Sequence, residues 1–456
     1  MRKRAEQLSL PMLCFLLLTA PLQAADKEEQ KNPDITLEQL QATIQQQQEQ
    51  LLQQTEQLRQ QTEEIRLQSA RMDALQRQVN TLQRHEPSPT PAASPSETKT
   101  PQTAIVSAQD ILPRPTISSG NDRIQLSLSG QVNRAFNIAN DGESTDLYPV
   151  DNSTSGSRLR FTGTGKINND LSMGSRIEVG ISPDTSSQVS QTSQSPGTWF
   201  DQRWTEIYLA STRYGKVSLG KGDTASNGTA EVDLSRTDVA QYAGIADIAG
   251  GMLFREEEGN NYLTTLKVSD VFQDRDGLSR QSRLRYDTPS YYGFSLAGSL
   301  VTNQRYDAGI FWGGKGYGFK AAWAFAMSDP QLPDKGLQYD GSLAILHQGS
   351  GLNFTMSGGL QERDNQEDAT NLYGKVGWIA DFTKLGNTAF GVDYTRSENL
   401  PWSHDSAWST GVTAVQFFDE VATELYIQYR LYILDQKSGP ALEDINVGTV
   451  GARVKF

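Results

Sequence analysis

Along residues 123–456 apolar and polar residues alternate in short runs, separated by clusters of Gly, Asp, Asn and Pro. Arg158, Arg160, Thr162, Thr164 and Lys166 interleave with Leu159, Phe161, Gly163, Gly165 and Ile167. Tyr317, Phe319, Ala321, Trp323, Phe325 and Met327 interleave with Gly318, Lys320, Ala322, Ala324, Ala326 and Ser328. Leu425, Ile427, Tyr429, Leu431 and Ile433 interleave with Glu424, Tyr426, Gln428, Arg430 and Tyr432. A period of two puts each set on one face of a β-strand. The final run places Phe456, Val454, Ala452 and Val450 on one face, and Lys455, Arg453, Gly451 and Thr449 on the other. The polar faces carry Arg, Lys and Glu, which a dry core would not tolerate. Strands oily on one side and wet on the other predict an all-β transmembrane barrel around a water-filled lumen. At about 21 residues per strand and turn the segment holds roughly 16 antiparallel strands, and counting runs directly gives roughly 16 to 18, wide enough for an aqueous channel.

Upstream the period changes. Leu37, Ile44, Leu51, Leu58, Ile65, Met72 and Val79 recur every seventh residue, which predicts an α-helical coiled coil over residues 33–85. Its second core position holds Leu40, Gln47, Gln54, Gln61, Gln68, Leu75 and Leu82. Four polar layers cost stability but restrict register, and they suit three strands meeting around an axis. The rod would be about 70 Å long. Residues 86–122 contain seven prolines among Ser, Thr and Ala, from Pro87 to Pro115, and read as a semi-extended linker.

Residues 1–24 read as a secretory signal. Arg2, Lys3 and Arg4 precede the apolar stretch Leu8–Ala20, and Leu22-Gln23-Ala24 offers a cleavage site. Cys14, the only cysteine, falls inside that leader, so the exported protein is expected to have no thiol or disulfide chemistry. The net charge is −13 and the mean hydropathy −0.53. Beyond the leader no apolar run approaches the roughly 20 residues of a membrane helix. No metal-ligand cluster, phosphate loop or nucleic-acid patch stands out, and no cofactor is expected. An enzymatic barrel would need a nucleophile beside a histidine. Only His85, His347 and His404 exist. His404-Asp405-Ser406 lies in a Pro-Trp-rich stretch and reads as a solvated loop.

Several motifs in order resemble the Gram-negative trimeric porins. They are Ser157-Arg158-Leu159-Arg160-Phe161-Thr162-Gly163, the stretch Asp170 to Glu178, Phe200 to Leu209 followed by Tyr214-Gly215-Lys216-Val217-Ser218-Leu219-Gly220-Lys221, Arg285-Tyr286-Asp287-Thr288-Pro289-Ser290, and the terminal Phe456. The likeness covers residues 123–456, and the Gln-rich coil resembles DcaP-type porins. This resemblance implies a homotrimer in the outer-membrane lipid, with the coil in the periplasm. It also implies that the loop from about Gly222 to Gly251 folds inward as a constriction. That loop carries Asp223, Glu231, Asp233, Asp238 and Asp247. Alternation offers Arg158, Arg160, Arg176, Arg283 and Arg285 as the opposing wall. Opposed charges would set up a transverse field that favours polar solutes. The barrel segment is acidic overall, with further acids at Glu256–Glu258 and Asp270–Asp276 assigned to loops away from the neck. The expected role is passive diffusion of small polar solutes, anionic or zwitterionic. The alternative is a trimeric tether whose coil binds a periplasmic partner.

Overall fold

The computed structural model describes residues 117–121, 123–257 and 263–456. The expected leader, the coiled coil with Gln47, Gln54, Gln61 and Gln68, and most of the linker lie outside the described residues. The strands are β1 (Ile117–Gly120), β2 (Ile124–Asn140), β3 (Thr145–Asp151), β4 (Arg158–Lys166), β5 (Leu171–Pro183), β6 (Thr198–Ser211), β7 (Gly215–Asp223), β8 (Leu253–Arg255), β9 (Leu263–Lys267) and β10 (Arg280–Asp287). They continue with β11 (Phe294–Val301), β12 (Tyr306–Gly316), β13 (Phe319–Asp329), β14 (Lys335–His347), β15 (Leu352–Arg363), β16 (Ala369–Thr383), β17 (Gly386–Glu398), β18 (Ser406–Phe418), β19 (Thr423–Asp435) and β20 (Ile445–Lys455).

Sixteen of these close into one antiparallel barrel. It runs β2–β4–β5–β6–β7, then β10 through β20, and β20 returns to β2 with Val132 opposite Val454. Closure leaves no unpaired edge, a condition for backbone to cross lipid. The seam is bonded on both sides of Gly130, whose N–H donates to the Phe456 carbonyl (2.6 Å) and whose carbonyl accepts from the Phe456 N–H (3.0 Å). Below the end of β20, β1 occupies the same flank of β2, with Ile117 opposite Leu128.

The alternation predicted from sequence is the alternation of the wall. Phe319, Phe325, Leu425, Ile427, Tyr429, Val450 and Val454 are exposed on the outer face. Ala322, Ala324, Ala326, Gln428, Arg430 and Arg453 are buried on the inner one. On the inner face charges come with counter-charges. Arg430 meets Asp393 at 2.5 Å and Arg453 meets Glu424 at 2.5 Å, all four side chains being almost wholly buried.

Two departures from a plain barrel shape its interior. Between β3 and β4 the chain leaves the wall at residues 152–157 and makes a short turn, Ser153–Ser155. The Asn152 side chain accepts from the Thr154 N–H (3.1 Å) and turns the chain inward. Between β7 and β10 the chain also turns inward, and it does so twice. Residues 224–252 run around the inner wall, and β8, β9, the one-turn helix Val268–Val271 and residues 272–279 follow. Val239, Ala240, Ile245, Ile248, Phe254, Val268, Val271 and Phe272 form a buried apolar cluster with wall residues Tyr373, Ala407, Tyr432 and Val447.

Candidate functional site: the lumen constriction

The first inward segment is fastened to the wall along its length. At its root the Ala225 N–H donates to Ser299 Oγ (2.7 Å) and the Ser226 N–H to Asp307 Oδ2 (2.9 Å). Further along, the Val232 N–H donates to Ser342 Oγ (2.9 Å) and Gln241 Nε2 to the Gly411 carbonyl (3.1 Å). Near its end Tyr432 OH donates to the Ile245 carbonyl (2.8 Å) and Asn137 Nδ2 to the Ile248 carbonyl (2.7 Å). Buried backbone groups need such partners because no water reaches them. The second segment is tied to the first. Gly228 and Ala230 donate their N–H groups to the Asp276 carboxylate (2.7–3.1 Å), and the Leu278 N–H donates to Ser226 Oγ (2.9 Å). At the crossing, Gly277 has φ +53°, and a Cβ there would stand 2.0 Å from Ser226 Oγ. Only glycine meets both demands.

These segments and the wall enclose a cavity of about 780 Å³. All five acids expected from sequence, Asp223, Glu231, Asp233, Asp238 and Asp247, line it. Asp233 is also bonded to the buried Lys375 ammonium. Asp223 pairs with Arg280 at 3.0 Å. Tyr242 OH donates to the Asp247 carboxylate.

The five expected arginines divide. Arg158 lines the cavity, 3.8 Å from Glu178. Arg160 pairs with the same Glu178 at 2.5 Å, and Arg176 lies over the Trp204 ring at 3.9 Å. Arg283 and Arg285 also face inward, but they are buried beneath the loop root. Arg283 bonds Glu206 (2.5 Å) and the Asp223 carbonyl (2.9 Å). Arg285 bonds Asp287 (2.7 Å) and the Thr224 carbonyl (2.5 Å). Their guanidiniums hold the loop in place and are shielded from the cavity.

Alternation alone misses three basic residues of the cavity, Arg203, Arg275 and Arg280. Arg203 escapes it because Glu178 pairs with Trp204 while Val179 pairs with Gln202, so Arg203 is the extra residue of a bulge. A bulge reverses the facing of what precedes it. Arg203 therefore turns inward and donates to Glu178 Oε1 at 2.6 Å. Three guanidiniums thus converge on one fully buried carboxylate. Asp274 and Asp276 also line the cavity. This corrects their assignment to loops away from the neck: the second inward segment carries them into the lumen, where backbone N–H groups of the first segment bind Asp276. Ser153 and Thr154 add hydroxyls from the break in the wall.

The loop acids are tuned by this setting. Burial, reinforced by the charge of Asp274, pushes the Asp276 carboxyl up to about 7. Burial raises Asp247 to about 6, against the hydrogen bond from Tyr242. Burial and the neighbouring acids Asp276, Asp274 and Asp247 hold Glu231 well above the usual carboxylate range. His404, by contrast, is exposed on an outer turn, while the Asp405 carboxylate accepts from the Lys437 N–H (2.9 Å).

The family model for Gram-negative porins matches residues 103–449. The chain belongs to the Gram-negative porins. As a porin with a closed barrel it is an outer-membrane channel protein. Among curated protein sequences none matches it. Solved structures similar to this porin include an anion-selective porin from Comamonas acidovorans, at 13% identity and TM-score 0.49, covering 73% of this chain and 100% of that one. Salmonella typhi OmpF in complex with daunomycin aligns at 14% identity and TM-score 0.48, over 75% and 100% of the two chains. The outer membrane channel DcaP of Acinetobacter baumannii aligns at 12% identity and TM-score 0.46, over 74% and 99%.

Proposed function

We propose that this porin passes small anionic or zwitterionic solutes by diffusion and works as a homotrimer. The observation that carries the selectivity is the cluster of Arg158, Arg160 and Arg203 on the single carboxylate of Glu178. One anion offsets one of three permanently charged guanidiniums, so the wall keeps surplus positive charge facing the acids of the inward loop. An anionic group passing the neck meets that surplus well inside the Debye length of about 8 Å. The ammonium of a zwitterion meets the loop acids opposite.

The trimer rests on the outer face. Arg134 stands on the lipid-facing side of β2 between the exposed Val132 and Phe136. Its Nη1 donates to the Pro183 carbonyl (2.8 Å). A charge left in lipid costs about 2–4 kcal/mol near the midplane. The glycines Gly163 and Gly165, on the lipid-facing side of β4, leave room for close approach of a second copy.

The decisive measurement is the reversal potential in a salt gradient across a planar bilayer. Replacing Arg158 and Arg203 together with Ser should lower the anion-to-cation permeability ratio by about 3- to 10-fold, equivalent to about 0.7–1.4 kcal/mol. Replacing Asp238 should move it the other way. The pair Arg283 and Arg285, shielded under the loop root, should leave selectivity nearly unchanged while lowering stability. An unchanged ratio in the Arg158/Arg203 variant refutes the proposed selectivity.

A further inference from the structure

We infer that Arg275 is an oxyanion-docking site on the loop side of the lumen, which takes the carboxylate of a small monocarboxylic acid. The inference rests on the reading that anionic solutes enter this lumen, and it adds a place where one of them is held.

Arg275 lies on the second inward segment and lines the cavity. It is 6% exposed. Its Nε and Nη2 atoms are buried with no hydrogen-bond partner, and among the described residues no ion pair includes it. The other arginines of the cavity each have a carboxylate partner, at 2.6–3.8 Å: Glu178 for Arg158 and Arg203, Asp223 for Arg280. A buried guanidinium without an acceptor is costly, because it has given up water and gained no partner.

The backbone adds to that cost. Arg275 has φ +57°, a left-handed conformation that residues other than glycine rarely adopt. The residue is held there from two sides. Gln338 Nε2 donates to the Arg275 carbonyl (2.8 Å). The stem of the side chain lies against Gly359 of β15, where a Cβ would stand 2.5 Å from Arg275 Cβ and 2.9 Å from Cγ. The wall is thus hollowed at one residue to receive this side chain. Backbone strain and an unpaired charge at one residue, kept in place by its surroundings, mark a site.

The ligand follows from the surroundings. A planar guanidinium offers paired N–H groups that match the two oxygens of a carboxylate. Of the charges that act on Arg275, Arg363 repels it and Asp274 attracts it. Glu231, Asp247 and Asp276 line the same cavity. Among these acids one guanidinium offsets one negative charge, and a second charge on the ligand would be repelled. A monocarboxylate therefore fits better than a phosphate monoester, which carries about two. Phe272 and Ala246 add apolar surface to the lining, suited to a short hydrocarbon body.

In the test, intact porin in mild detergent is mixed with sodium butyrate and, separately, with butyramide, which has the same body and no charge. Saturation-transfer NMR reads the bound fraction. Butyrate should bind saturably and butyramide should not. Arg275→Met keeps an apolar stem against Gly359 and removes the fork, and should weaken butyrate binding about 10-fold or more. Arg275→Lys keeps the charge without the fork and should fall between. Gly359→Ala, which displaces the side chain and leaves its charge, should also weaken binding, and it carries the test if Arg275→Met does not fold. Wild-type porin that takes no butyrate, or takes butyramide equally, overturns the inference. So does butyrate binding that survives in Arg275→Met. If that surviving binding disappears when Arg158 and Arg203 are replaced with Ser, the carboxylate sits on the wall, and the selectivity proposed above stands without this site. Reversal potentials test the channel separately, because binding in detergent needs no conduction.

Discussion

Lys375 is 1% exposed, and its ammonium serves three acceptors on the first inward segment. They are the Asp233 carboxylate, Thr237 Oγ1 at 3.0 Å and the Gln241 carbonyl at 2.9 Å. Removing one partner of a buried pair strands the other charge, at about 3–5 kcal/mol. Lys375→Met should therefore lower the temperature at which the folded barrel unfolds in detergent, read by heat-modified gel mobility. Asp233→Asn added to Lys375→Met should recover part of the loss, because the stranded carboxylate is then neutral. Additive losses in this double-mutant cycle would refute the coupling. At this scale much of the site was legible. The acids of the loop and Arg158 follow from residue type, alternation and family likeness. Arg203 did not, because one extra residue in β6 reverses its side, and nothing in Arg203-Trp204 marks a bulge. Arg283 and Arg285 were legible as inward residues, but only the packing of the loop root shows that they are covered. Asp274 and Asp276 were hidden because a polar stretch reads alike in an outer loop or an inner one.

Among the elements, the first inward segment is the one with a latch. Arg236 sits at φ +62°, a conformation non-glycine residues rarely adopt. Its guanidinium lies over the Phe417 ring at 3.8 Å, 3.7 Å from the Asp419 carboxylate, and bonds Asn387. Asn387 stands at the start of β17 and Asp419 in the turn that follows β18, at one end of the barrel, so this contact holds the segment's far reach. Strain of this kind persists only where surrounding contacts over-determine it. Arg236→Ala removes the cation–π contact and the ion pair, together about 1–2 kcal/mol. Single-channel records should then show more frequent brief current transitions with the same mean selectivity. Records as quiet as wild type would mean that the latch is dispensable.

For the whole molecule, closure, strand number near 16 and the lipid-facing alternation were all readable from the period of two. The break at residues 152–157 was not, since Asn152-Ser153-Thr154-Ser155-Gly156 looks like an ordinary turn between strands. The outer face carries the assembly prediction. Wild-type porin extracted in mild detergent should have the mass of a trimer. Arg134→Glu should place an acid where the guanidinium now meets the Pro183 carbonyl, and should shift the population toward monomers. A wild-type protein that is monomeric by light scattering rejects the trimer outright.

The stapling of the first inward segment has a mechanical consequence. Its anchors reach wall strands from β11 and β12 through β14, β16 and β18 to β19 and β2. A hollow cylinder squeezed by a bilayer deforms most easily into an ellipse, and internal spokes resist that deformation. The segment that narrows the passage therefore also keeps its cross-section round. Widening this pore by trimming the segment would soften its wall in the same stroke, so bore and stiffness cannot be altered independently in this barrel.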